Sequence, residues 1–143
     1  MATKPQILQD ITSDLLLAGR RWRRAAGRLL GSHGTSDAAA APLISLAQLG
    51  NGARQIDIAS DLGIESPSLV RLINQLEAQG LVERQCDDSD RRANGLFLTE
   101  QGQETAEQLQ ELLADLRGTI LGKFTKAELE TAARVLKAFE DLE

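Results

Sequence analysis

A short run of polar side chains between residues 68 and 75 carries the chemistry that stands out in this sequence. Its members are Ser68, Arg71, Asn74 and Gln75, which fall on one side of a helix. Arginine, asparagine and glutamine are the side chains that make paired hydrogen bonds to the edges of guanine and adenine. Most polar helix faces are simply solvated, so the run alone leaves both interpretations open. The residues around it favour contact with a nucleic acid.

A short helix and a glycine precede this run. Residues 55–62 are predicted to form the helix, because apolar side chains recur on one of its faces. They are Ile58, Ala59 and Leu62. Gly63 follows at the position where a left-handed backbone conformation ends a helix, and glycine adopts that conformation without strain. These features predict the first half of a helix-turn-helix.

The second helix of the motif is predicted to begin at Ser66. A serine at the N-cap accepts a hydrogen bond from a free backbone N–H, and Pro67 lacks an N–H that would have no partner there. Gly80 is predicted to end this helix. Its buried face comprises Leu69, Leu72, Ile73 and Leu76. The second helix of such a motif enters the major groove of DNA. Gln55, Ser66 and Pro67 are further candidates for DNA contact.

A charged β-hairpin is predicted directly after this motif. Residues 81–86 and 96–98 are expected to form its strands, and the polar residues 87–95 its loop. A hairpin beside a recognition helix is a wing, and an arginine at its tip can enter the minor groove, where the potential is negative. The candidates for DNA contact in the hairpin are Arg84, Asp90, Arg91 and Arg92. An ordinary surface ion pair between Asp90 and its neighbours is the alternative.

The combination of turn, proline, arginine and wing at this spacing resembles the MarR family of transcription regulators, and within it the SlyA-type branch. The match covers roughly residues 55–100. It rests on Gly63 through Arg71, Leu76-Glu77, Gly80-Leu81-Val82, Arg84-Gln85, Ser89 through Ala93 and Leu98-Thr99-Glu100. The resemblance implies a winged-helix homodimer on a pseudo-palindromic operator in double-stranded DNA. It also implies that Arg71 enters the major groove and Arg91 or Arg92 the minor groove, with Asp90 as a brace.

The composition limits the class of protein. A chain of 143 residues suits one domain with added dimerisation helices. The single cysteine, Cys86, excludes a disulfide within the chain and is typical of a reducing compartment. No apolar run approaches the ~18 residues of a membrane span, and no signal-peptide pattern occurs. We therefore expect a cytoplasmic protein with no membrane partner.

The net charge of −5 is unusual for a protein that binds nucleic acid. The charge is unevenly distributed, with +4 on residues 1–36, −4 on residues 37–99 and −5 on residues 100–143. The predicted reading domain is therefore acidic on average. DNA binding would depend on where a few arginines point, with the carboxylates of that domain turned elsewhere.

The ends of the chain are predicted to form dimerisation helices around a central winged domain. The divisions are residues 1–34, 35–100 and 101–143, which gives a mainly α fold with a small β-hairpin. Apolar or small residues recur at Leu8, Ile11, Leu15, Ala18, Trp22, Ala25 and Leu29. Thr99 and Thr125 are expected to cap two C-terminal helices, whose apolar faces are too wide for one winged domain to cover. Pro42 is expected to start or kink a helix near residues 38–49.

Five arginines crowd the N-terminal helix, namely Arg20, Arg21, Arg23, Arg24 and Arg28. They could raise the electrostatic potential towards DNA or pair with the acidic C-terminal helices of a second copy. Pairing and solvation are the preferred interpretation.

No catalytic or metal-binding chemistry emerges from the sequence. His33 and Cys86 are its only histidine and cysteine, so one chain cannot assemble a site of the usual nitrogen and sulfur ligands. No phosphate-binding loop or nucleophile motif occurs. We expect neither an enzyme nor a cofactor. A redox role for Cys86 is a minor alternative.

A ligand site is implied by the resemblance alone. The family commonly binds small aromatic or phenolic acids between the dimerisation helices and the winged domain, which changes the spacing of the two reading helices. By position, the walls of such a site would be Ala18, Arg20, Trp22, Ala40, Ile44 and Arg71. Two alternatives stay open. One is a DNA-binding repressor or anti-silencer without an effector, and the other is a winged-helix protein-interaction module without DNA binding.

Overall fold

The fold is mainly helical with one small antiparallel sheet, which confirms the predicted fold class. A computed structural model describes the backbone of residues 1–32, 37–87 and 90–142, and their side chains except at residues 37, 86–87 and 90–94. The elements are α1 (Lys4–Gly31), α2 (Asp37–Leu49), β1 (Ala53–Arg54), α3 (Gln55–Leu62), α4 (Ser66–Ala78), β2 (Val82–Asp87), β3 (Asp90–Leu98), α5 (Glu100–Leu121) and α6 (Lys126–Lys137), followed by a 3-10 turn (Ala138–Asp141).

The sheet has three strands in the order β1-β3-β2, so the predicted hairpin gains a third strand. Strand β1 was missed because its two residues are too few to show a period. The assignment of residues 87–95 to a loop was wrong, since β3 already begins at Asp90. In β3, Asn94 and Gly95 pair with Cys86 and Gln85. Strand pairing uses backbone groups, so polar side chains did not prevent it.

Helix α2 forms the centre of the core and packs against α1, α3, α4 and α5. Its Ala40, Leu43 and Leu46 have no exposed surface. Pro42 lies inside this helix and is buried, so the expectation that it would start the helix was wrong. Its missing N–H falls opposite the carbonyl of Ala38, an exposed residue near the start of the helix, where water can take the place of the lost donor.

The predicted helix-turn-helix is present, and helix α3 has the predicted bounds. Gly63 adopts φ 65°, and the N–H groups of Gly63 and Ile64 donate to the carbonyls of Ser60 and Ala59 at 3.3 and 3.1 Å. These two hydrogen bonds end the helix and turn Ile64 back against the core, as predicted.

The start of α4 differs from the prediction by one residue. Glu65, with φ −77° and ψ 146°, is the N-cap, and no side chain caps the helix. Ser66 is the first helical residue, because the first helical hydrogen bond runs from the N–H of Leu69 to the carbonyl of Glu65, at 3.2 Å. The prediction that Ser66 caps the helix was therefore wrong. Pro67 remains in the first turn, where its missing donor costs nothing.

Helix α5 begins directly against the turn that ends α4. The Thr99 hydroxyl accepts from the N–H of Gly102 at 3.0 Å, which confirms the predicted cap, and donates to the carbonyl of Gly80 at 2.6 Å. The N–H of Thr99 donates to the carbonyl of Leu81 at 3.1 Å. Gly102 is buried against that same carbonyl, so closely that a Cβ would overlap the oxygen. The C-terminal helix is thereby fixed to the end of α4.

The two ends of the chain leave much apolar surface uncovered. Large apolar side chains of the first part of α1 are more than a third exposed, namely Ile7, Leu8, Ile11, Leu16, Leu17 and Trp22. Helix α6 starts with the predicted capping box of Thr125 and Glu128, yet none of its residues is buried. In the described part of the chain, no helix is long and apolar enough to cross a membrane.

Replacing Gly102 by alanine tests the junction between α4 and α5. We expect Gly102→Ala to lower the free energy of unfolding by about 1–3 kcal/mol, because the added methyl group forces the backbone of Leu81 to move. Gly118→Ala in the same helix is the control, since nothing lies within 4 Å of its new Cβ. That variant should gain roughly 0.5–1 kcal/mol. Thermal unfolding at one protomer concentration measures both, and equal effects would contradict the close packing at Gly102.

Candidate nucleic-acid interface

Helix α4 has one completely buried face and one exposed polar face. Leu69, Ile73 and Leu76 have no exposed surface, and Leu72 is half-buried. The predicted reading residues Ser68, Arg71, Asn74 and Gln75 are all exposed. The division into two faces that the sequence predicted is therefore confirmed.

The candidates at the edge of this face are less uniform. Ser66 and Pro67 are exposed at the start of α4, next to the reading residues. Gln55 is half-buried at the first position of α3. The start of α4 therefore offers exposed backbone and side-chain groups to a ligand, whereas Gln55 is partly covered by the fold.

Arg84 connects strand β2 to the polar face of α4. Its Nη1 lies 2.8 Å from Oε1 of Glu77 in an ion pair, and its Nη2 donates to Oδ1 of Asn74 at 2.7 Å. One guanidinium therefore holds two side chains that are separated by one helical turn. The sequence predicted Arg84 only as a DNA contact and missed this bridge. Its members are seven and ten positions from Arg84, and only the placement of β2 beside α4 brings them together.

Three carboxylates of this domain have partners within the chain. Oδ2 of Asp57 accepts from the N–H of Arg54 at 3.1 Å, and Oδ2 of Asp61 accepts from the buried Ser45 hydroxyl at 2.6 Å. Glu77 is held by Arg84. These three acids serve the fold, which leaves Arg71 as an exposed charge on the reading face. Only the charge of Glu77 is balanced by an ion pair, and Glu65 remains an exposed acid at the start of α4.

Several predicted residues lie outside what the structure describes. The side chains of Asp90, Arg91, Arg92 and Cys86 are among these, as is the whole of His33. The predicted wing contacts and the redox alternative remain predictions.

The predicted ligand-site residues do not share one environment within a single chain. Ala40 and Ile44 are buried in the core, whereas Ala18, Arg20 and Arg71 are exposed. The Trp22 ring lies 5.8 Å from the guanidinium carbon of Arg117, in a cation–π contact.

An open hollow of about 430 Å³ lies elsewhere, lined by Leu49, Ala53, Asp57, Ser60 and Asp61. Its two carboxylates would repel an organic acid. Among the described residues, no cluster of metal-ligating side chains occurs.

The five arginines of α1 are exposed and make no ion pair with another described residue. Within one chain, they are therefore solvated, and the acidic C-terminal helices do not pair with them.

Comparisons with known proteins agree with this architecture. The model of the MarR family matches residues 38–93. The transcriptional regulator PA3341 is 30% identical over 90% of this chain and 94% of its own, with a TM-score of 0.83. CouR from Rhodococcus jostii RHA1, solved with p-coumaroyl-CoA, is 22% identical over 94% of both chains, with a TM-score of 0.82. Staphylococcus aureus MarR, solved with salicylate and kanamycin, is 17% identical over 95% of this chain and 91% of its own, with a TM-score of 0.81.

The matched residues 38–93 include α2, the complete helix-turn-helix and most of the wing. The relative at 30% identity extends the match over the terminal helices. The chain therefore belongs to the MarR family, whose members are transcription regulators and not enzymes.

Proposed function

We propose that this regulator is a homodimer that binds a pseudo-palindromic operator through α4 and the wing of each protomer. The observation that carries the proposal is the exposed row of Ser68, Arg71, Asn74 and Gln75, opposite a completely buried face. A helix held in this way can enter a major groove without losing its packing. The likeness to the SlyA-type branch and a cytoplasmic location are part of the proposal.

Dimerisation is proposed to use the terminal helices, with residues 1–34 and 101–143 flanking the winged domain at 35–100. Support comes from exposed apolar side chains on α1, at the end of α5 and on α6. Patches of this kind mark interaction surfaces in stable proteins. The first 36 residues carry +4 and residues 100–143 carry −5, so two copies packed through these segments would also complement each other in charge.

A small aromatic or phenolic acid is proposed as the effector, bound between the dimerisation helices and the winged domain. Salicylate, in the S. aureus MarR structure, is such an acid, and the p-coumaroyl-CoA of CouR carries a phenolic acyl group as a thioester. Trp22 is exposed on α1, where its indole can stack on an aromatic ring. Arg20 is exposed on another side of the same helix, so it would meet the carboxylate of a ligand from a different direction. The competing hypothesis is a repressor or anti-silencer without an effector, for which titration with salicylate-like acids would not change operator affinity.

Selection of bound duplexes from a random DNA pool tests the proposal directly. We expect enrichment of an inverted repeat with half-sites about one helical turn apart. Affinity for that site should fall about tenfold or more between 50 and 200 mM salt, because each neutralised phosphate releases counterions. Absence of enrichment, with binding that does not depend on salt, would favour a winged-helix protein-interaction module.

Removal of Arg71 tests the placement of α4 in the groove. We expect Arg71→Ala to weaken operator binding by about 1–3 kcal/mol and to relax base preference at one position of each half-site. Arg134→Ala removes another exposed charge, on α6, and should leave base preference unchanged. Binding titrations on single-base operator variants measure the difference. Wild-type preference in Arg71→Ala would mean that another element reads the bases.

A charge on the apolar face of α6 tests the dimer. Leu136 is 51% exposed, and burial of this side chain against a second copy would make Leu136→Asp strongly unfavourable. We expect a monomer by sedimentation at micromolar concentration, with loss of inverted-repeat binding. Arg134→Asp, two residues before Leu136 and therefore on the opposite side of α6, should remain dimeric. A dimeric Leu136→Asp would exclude this face from the interface.

A further inference from the structure

We propose that Asn74, oriented by Arg84, reads a thymine together with Val70, and that Arg84 is the residue that fixes this base preference. The inference rests on the proposed DNA binding and specifies one base contact within it. It differs from the usual expectation for asparagine, which pairs with adenine.

The hydrogen bond from Arg84 determines which way the Asn74 amide faces. A guanidinium has only donors, so the atom that lies 2.7 Å from Nη2 must be the amide oxygen and not the amide nitrogen. The second guanidinium nitrogen is fixed by Glu77 at 2.8 Å, which prevents rotation of the arginine away from the amide. The Arg84 side chain is 22% exposed and that of Glu77 44%, so the bridge lies at the surface and its effect is on the direction of the amide.

Arg84 competes with adenine for the Asn74 amide, because its guanidinium occupies one of the two lone pairs of the amide oxygen. Bidentate recognition of adenine needs the amide oxygen to accept from N6 while the amide nitrogen donates to N7. In this chain the oxygen accepts from Arg84 of β2, which leaves the N–H groups of the amide exposed to solvent. Asn74 therefore presents a donor to a ligand at the exposed face of α4, and it requires an acceptor there.

Val70 distinguishes between the bases that offer an acceptor. It precedes Asn74 by four positions, so the two side chains are neighbours on the helix surface. Val70 is 37% exposed although it is apolar. Thymine presents the O4 acceptor beside its own C5-methyl group in the major groove, whereas the acceptors of guanine and the N7 acceptor of adenine have no methyl group on the same base. A donor next to an exposed apolar side chain is therefore complementary to thymine.

Two base analogues separate the two halves of this contact. In the selected operator, each thymine of one half-site is replaced in turn by uracil, which removes only the methyl group, and by 5-methylcytosine paired with guanine. The latter keeps the methyl group and replaces the acceptor by a donor. We expect one thymine at which uracil weakens wild-type binding about fourfold, from the loss of one buried methyl contact. At the same thymine, 5-methylcytosine should weaken it roughly tenfold, because two donors then face each other.

Variants of the three residues assign these effects. Val70→Ala should lose the response to uracil but keep the response to 5-methylcytosine, and Asn74→Ala should show the reverse. Arg84→Lys keeps the charge but replaces two separated nitrogens by one. We expect it to reduce the 5-methylcytosine effect to less than about threefold, with the salt dependence and the dimer unchanged.

The outcomes distinguish this inference from the proposed function. An operator that depends on Arg71 but shows no thymine sensitive to both analogues would overturn the inference and leave DNA reading intact. An adenine at the position controlled by Asn74, or wild-type discrimination in Arg84→Lys, would also overturn it. Absence of any selected operator would instead contradict the proposed function. Circular dichroism of each variant controls for folding.

Discussion

The packing of α4 against α2 is the constraint on which the reading surface depends. Leu69, Ile73 and Leu76 are completely buried, and they meet a helix whose own Leu43 and Leu46 have no exposed surface. Burial of such side chains is worth about 1.5–3 kcal/mol each, so rotation of α4 about its axis is strongly opposed. The polar face points outward because burial of the apolar face fixes the rotation of α4.

Polar groups around α4 are organised by the same fold. Asp57 and Asp61 accept hydrogen bonds from Arg54 and Ser45, and Arg84 binds both Glu77 and Asn74. Exposed ion pairs of this kind add little stability. Their effect is geometric, since each fixes the direction in which a charge or an amide points. An acidic chain can thus keep a reading face on which Arg71 remains available.

Local features of the sequence were sufficient to predict the helices, the turn at Gly63 and the caps at Thr99 and Thr125. Each of these depends on residues within four positions of one another. The missed features all join distant positions. Strand β1 exists because Ala53 and Arg54 meet Leu96 and Gly95, and the Arg84 bridge exists because β2 returns beside α4. The error at Ser66 was a shift of one residue, because serine and glutamate both permit an extended backbone before a helix.

The junction at Thr99 makes α5 a lever. Helix α5 has 22 residues, so it is about 33 Å long. Its near end is hydrogen-bonded to Gly80 and Leu81 at the end of α4. There the close contact between Gly102 and the Leu81 carbonyl prevents the two backbones from sliding past each other. Because the connection is stiff, a tilt of about 5° at one end corresponds to a displacement of roughly 3 Å at the other, by the same helix length. A displacement of this size at α4 therefore needs only a small rotation where the far end of α5 is held.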